Sequence, residues 1–200
     1  LAEDRGFPMN LCAWIKGLYG AARREGIERI LGVVRGDCSS TEKLLEVWRH
    51  EGIETIPFAY PASPDPAAMR AELESLARVL GTTIGSAEEV RRSLLPLRRK
   101  LERLDRMTWE DAKVSGLENH LWLVSASDFN GDQACYEAEL DLFLSVAERR
   151  EPRRVGIRLG YVGVPPIAGD LYDFLSERGA GVVFNEVQRQ FAMPGEHAGL

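Results

Sequence analysis

The sequence predicts an α/β protein, built as a three-layer, Rossmann-like or flavodoxin-like parallel sheet of about four strands with a helical insertion. Three observations predict it: short strand-type runs alternate with helical patterns, glycines punctuate the junctions, and a block of leucines at helical spacing separates the first two strands from the last two. With 200 residues, 44% of them hydrophobic, the chain can bury one substantial core, and a single domain is expected over 1–200.

Residues 10–25 read as the first helix, with Leu11, Ile15, Leu18 and Ala22 on one face, Asn10 as its cap and Gly26 closing it. Ile30-Leu31-Gly32-Val33-Val34 is almost wholly apolar, the pattern of a parallel strand buried on both faces. Gly36 makes the turn into a helix over 41–50, for which Ser39 and Glu42 have capping-box spacing. A second strand follows at 53–58. Four prolines, Pro57, Pro61, Pro64 and Pro66, then stiffen the approach to a helix over 67–80. Val90, Leu94, Leu97, Leu101 and Leu104 form a helix-packing stripe from Ser86 onward, which Pro96 is expected to bend or divide into two helices. Further helices are expected at 117–124 and 132–149, so that 64–150 is a helical insertion. The sheet pattern resumes with a strand at 154–161, a helix at 169–177 and a strand at 181–185. In a single parallel sheet, Cys38, the loop from Gly160 through Gly163 to Pro165, and Glu186 would meet at one edge, where open α/β sheets bind ligands.

A net charge of −6 excludes a dedicated nucleic-acid binder, because phosphate contacts need a basic face. No apolar run approaches the roughly 18 to 20 residues that span a bilayer, so no membrane role is expected. Three cysteines without an export signal fit a reducing compartment, and cytoplasm is the expectation. The start at Leu1-Ala2-Glu3 and the end at Met193-Pro194-Gly195 read as cuts within a longer protein.

Cys12 and Cys38 stand where helices begin, and the open amides and dipole of a helix start favour a thiolate over a thiol. Two such sulfurs in one domain point to metal, cluster or redox chemistry, although their separation is too long for a compact zinc knuckle. Cys135 reads as a packing cysteine, and His50 and His197 as solvent-facing residues. His120, in Glu118-Asn119-His120 ahead of an apolar segment, is a candidate acid or base, set against a structural histidine. The Gly160-x-x-Gly163 loop lacks the spacing of a dinucleotide or P-loop fingerprint.

Together these residues carry a resemblance. Pro8-x-x-x-Cys12 with Lys16 and Gly20, the strand into Gly36-Asp37-Cys38-Ser39-Ser40, and Ile56-Pro57-Phe58-Ala59-Tyr60-Pro61 are similar to the iron–sulfur subunits of 2-hydroxyacyl-CoA dehydratases and ATP-dependent benzoyl-CoA reductases. The segments from Arg154 to Pro165 and from Gly179 to Glu186 resemble the same family's next strand–loop–helix–strand unit. The resemblance implies a 4Fe-4S cluster held by three cysteines, with Cys12 and Cys38 at the first two ligand positions and the third outside this chain. It also implies a homologous second subunit, an ATP-hydrolysing activator protein that delivers one low-potential electron, and an acyl-CoA substrate. The chain departs from some members in having no cysteine at Gly163-Val164-Pro165 or over 185–189, and Asp37-Cys38 reverses a common Cys-Asp order. Two rival readings are a non-catalytic partner subunit and a small-molecule-binding α/β domain.

Overall fold

The structure, a computed structural model, describes residues 1–36, 38–164, 166 and 168–192. Asp37, Pro165, Ile167 and residues 193–200, His197 among them, lie outside the described residues. The chain divides into two compact units, Leu1–Glu88 and Glu89–Gly199.

In the first unit, helix α1 (Ala13–Arg24) precedes strand β1 (Arg29–Arg35), helix α2 (Ser39–His50), strand β2 (Glu54–Ala59) and helix α3 (Pro66–Val79). β1 and β2 pair in parallel from Arg29↔Glu54 to Val33↔Phe58, with a shift before Arg35↔Ala59. Alternation along β1 turns Ile30 and Val34 onto a core of Ile15, Tyr19, Ala22, Leu44, Leu45 and Trp48 from α1 and α2. Gly32 is required on that face, since a Cβ there would lie 2.9 Å from the Leu45 side chain. The opposite face is less covered than expected: Leu31 is 45% exposed, so β1 is not buried on both sides.

Helix α4 (Ile84–Trp109) starts at the end of the first unit and runs into the second, which continues with α5 (Gly116–Ser125), α6 (Gln133–Ala147), β3 (Ile157–Tyr161), α7 (Leu171–Ser176), β4 (Ala180–Asn185) and α8 (Glu186–Ala192). Pro96 does not divide α4. It is exposed, so the amide bond it removes is lost on the solvated face, while Leu97, Leu101 and Leu104 on the other face are buried. Val90, at the start of the expected stripe, is exposed instead. These leucines pack with Met107, Leu123, Tyr136 and Leu140 to form the core of this unit. β3 and β4 pair in parallel from Ile157↔Ala180 to Tyr161↔Asn185.

The fold is therefore mixed α/β, but the sheet differs from expectation. Among the described residues the four strands form two separate two-stranded sheets, β1–β2 and β3–β4, rather than one four-stranded sheet. Each is a local strand–helix–strand return, and hydrophobic periodicity defines such a return without specifying whether two of them join. The expected meeting of Cys38 with Gly160, Gly163 and Glu186 rested on that single sheet; Cys38 belongs to the first unit and the others to the second. No helix among the described residues is long and apolar enough to cross a membrane.

Gly116 is held as tightly as Gly32: a Cβ there would run into the Val182 carbonyl and lie 2.9 Å from the Val182 Cβ. Gly116→Ala is expected to cost about 2 kcal/mol or more through overpacking. Gly17→Ala, on an exposed stretch of α1 with nothing within 4 Å, should instead gain about 0.5–1 kcal/mol. Urea unfolding of both variants checks the contrast.

Candidate functional site

Cys12 is the N-cap residue of α1 and Cys38 that of α2, and both are exposed. This corrects both expected caps, because Asn10 lies outside the α1 cap position and the Ser39/Glu42 box gives way to the Cys38 side chain. Ser40 donates its backbone N–H to Cys38 Sγ at 3.4 Å. Around Cys12 the chain is braced: Leu11 N–H donates to the Pro8 carbonyl at 3.0 Å. Lys16 Nζ donates to Glu3 Oε1 at 2.6 Å and to the Met9 carbonyl at 2.9 Å.

Connectivity brings the two cysteines to one edge. α2 starts just beyond the C-terminal end of β1, which puts Cys38 at that edge of the sheet. α1 ends four residues before β1 begins and packs on the same core as α2, so it runs back toward the same edge. The far ends of the helices are tied together, with Tyr19 Oη donating to Glu51 Oε1 at 2.8 Å and Arg23 to Glu51 Oε2 at 3.4 Å. The helices are therefore parallel, and the starts that carry Cys12 and Cys38 lie on the side where parallel strands end.

Cys135 has a different environment. It is exposed in the first turn of α6, and the Glu139 carboxylate, then burial and Asp132, push its thiol pKa up. A thiol held in its protonated form is a poor ligand. Among the described residues no three His, Cys, Asp or Glu side chains form a group able to hold a metal ion.

His120 lies in the second unit, on α5, whose start is fixed by a capping box: Ser115 Oγ accepts from Glu118 N–H at 3.1 Å, and Glu118 Oε2 accepts from Ser115 N–H at 2.8 Å. Behind His120 runs a buried polar network that the sequence did not reveal. Asn185 Nδ2 donates to the Gly116 carbonyl at 3.0 Å and to Asn119 Oδ1 at 2.8 Å. Asn119 Nδ2 in turn donates to Asp105 Oδ1 and Thr108 Oγ1, each at 3.1 Å. With its amide nitrogen committed, Asn185 offers Oδ1 to the Tyr172 hydroxyl at 2.8 Å. The single hydroxyl proton of Tyr172 is thereby used. At its 2.9 Å contact with His120 Nδ1 the hydroxyl oxygen accepts, and Nδ1 carries the proton. The Gln188 amide also approaches Nδ1, at 2.8 Å, and its buried Oε1 has no other partner; turned about, the amide presents that oxygen to Nδ1–H. Nε2 is left with the lone pair, the form that accepts a proton.

Asp105, only 2% exposed, has its pKa raised by burial, which Arg189 at 3.3 Å and Asn119 oppose. Asn119 and Asn185 lay in segments already singled out by sequence, but their pairing needs the fold. Asp105 and Gln188 carried no local signal.

The class defined by this fold is a mixed α/β protein with two cysteine-bearing helix starts at one sheet edge. The family model described as 2-hydroxyglutaryl-CoA dehydratase, D-component, matches residues 1–198, and the chain belongs to that family. No curated protein matches it.

Burial lowers the His120 pKa below its ordinary 6.5. The unfolded chain then takes up a proton, as pH falls through 6.5, that the folded unit does not, so this term loses stability on acidification. Asp105, raised from 3.8, acts in the opposite sense at lower pH, so the His120 term is read by difference. Between about pH 7 and pH 5.5 the urea midpoint is expected to fall further in the native protein than in His120→Gln. Parallel curves would remove His120 as the cause.

Proposed function

We propose that this chain is the cluster-binding part of an iron–sulfur subunit of a 2-hydroxyacyl-CoA dehydratase-like or benzoyl-CoA reductase-like enzyme, with Cys12 and Cys38 giving two of three thiolate ligands to a 4Fe-4S cluster. The observation that carries this reading is the placement of two exposed N-cap cysteines on one edge in a chain of the 2-hydroxyglutaryl-CoA dehydratase D-component family.

The residues fit such a group. Both donors are soft thiol sulfurs, suited to iron in a cluster, and exposure lets them reach it. The Ser40 N–H already directed at Cys38 Sγ is the type of hydrogen bond that tunes a cluster's potential. When bound, the cluster supplies one-electron reduction at low potential. Lys16, tied to Glu3 and the Met9 carbonyl, keeps the Cys12 segment in place. His120, with its proton held on Nδ1, is proposed as the residue that takes or returns a proton through Nε2. The third cysteine, a homologous second subunit, an ATP-hydrolysing activator and an acyl-CoA substrate complete the reading, and all lie outside this chain. A cytoplasmic location accords with chemistry that needs reduced thiols.

Purified without oxygen in its full-length form, the protein is expected to contain iron and acid-labile sulfide and to show a paramagnetic signal on reduction. Cys12→Ser and Cys38→Ser should each lose most of that iron or alter the signal, whereas Cys135→Ser should leave both unchanged. Absence of iron, or a signal indifferent to Cys12 and Cys38, would overturn the proposal.

A further inference from the structure

Beyond β2 the chain forms an apolar cleft of about 560 Å³, walled by Tyr60, Pro61, Pro64, Pro66 and Met69. Its size lies in the range of small-molecule sites, roughly 300–1,000 Å³. Three prolines fix the backbone of the wall, so the cleft is formed before anything enters it.

The cleft adjoins the cysteine edge through one residue. Tyr60 N–H donates to the Arg35 carbonyl at 3.1 Å, joining the exits of β1 and β2. Its ring packs edge-on against Phe58 with centroids 5.3 Å apart. The ring also lies directly against Gly36, where a Cβ would be 2.7 Å from Tyr60 Cδ2, and Gly36 has a positive φ of 87°, which suits glycine. Cys38 follows Gly36 by two peptide units, so their Cα atoms are at most about 7.6 Å apart. One tyrosine therefore forms a wall of the cleft and abuts the loop that presents Cys38.

The charge of the lining decides what the cleft accepts. Asp65 is its one ionisable carboxylate, and Oδ1 of that residue is committed to the Ala67 N–H at 2.9 Å as the cap of α3. No Lys, Arg or His among the described residues lines it. A chain ending in a second carboxylate would leave water, gain no cation and meet a like charge, whereas an apolar chain would gain buried area against proline rings and the adaptable Met69. The second unit has a smaller cleft of about 360 Å³ that carries Lys113, Arg150 and Arg153, but there Arg150 is paired with Glu118 at 2.9 Å and Lys113 donates to the Glu148 carbonyl at 2.7 Å.

We infer that this cleft holds the acyl group of the thioester and selects an uncharged, apolar acyl chain over a dicarboxylic one. The inference rests on the CoA-thioester reading above and narrows its substrate class.

The test is equilibrium binding of hexanoyl-CoA, glutaryl-CoA and CoA to the full-length protein, kept without oxygen, measured by calorimetry rather than turnover. Hexanoyl-CoA is expected to bind about 10-fold or more tightly than glutaryl-CoA, the two acyl groups being of similar length. Met69→Arg should shrink or reverse that preference by supplying the missing cation, and Met69→Leu should keep it. Equal binding of the three compounds, or a preference that Met69→Arg does not move, would overturn the acyl assignment and leave the cluster reading standing. Failure of every CoA compound to bind would overturn the acyl assignment together with the CoA-thioester reading, while the iron content would still report on the cysteines.

Discussion

Parallel pairing of β1 with β2 is the constraint on which the first unit depends. A parallel partner cannot be reached by a tight turn, so the chain must cross back over the sheet through α2. That return puts the start of α2 beside the strand ends, and α1, sharing the core of Tyr19, Leu44 and Leu45, is drawn into the same direction. The two thiols are brought to one edge by backbone topology, with no need for them to be near in sequence. The same pairing brings Tyr60 across the exit of β1, where only a glycine at position 36 leaves room for its ring.

The second unit is organised by a different interaction. Asn185, fully buried at the end of β4, satisfies the Gly116 carbonyl, Asn119 and Tyr172 at once. A buried amide of this kind is costly unless every hydrogen-bonding group is used, and using them fixes the direction of each proton along the path to His120. The result is an imidazole whose tautomer is set by side chains from a strand and two helices. Local order of this sort suits a proton-handling residue and also suits a packing histidine, which is why its pH response is informative.

Much of this was legible in the sequence. The apolar run at 30–34 and the leucine spacing of 97, 101 and 104 mark β1 and the buried face of α4, because periodicity directly reports which face meets the core. Cys12 and Cys38 were recognisable as helix starts, although the capping atom at α2 is the sulfur itself and not Ser39. What stayed hidden depends on partners distant in sequence. Whether two strand–helix–strand returns share a sheet, which polar side chains close on Asn185, and that Pro96 can be borne on an exposed face are all decided by tertiary packing. Helix α8 was missed for a related reason: it begins directly at the end of β4, with no loop to separate them.

The central claim is that Cys12 and Cys38 face one shared site. The most direct measurement is bridging of the metal-free protein by dibromobimane, a short thiol-specific reagent that becomes strongly fluorescent on joining two sulfurs, in a Cys135→Ser background and with peptide mass mapping. The account predicts a fluorescent product in which one bimane links the Cys12 and Cys38 peptides. Separate modification of each cysteine, with no linked peptide, would contradict it.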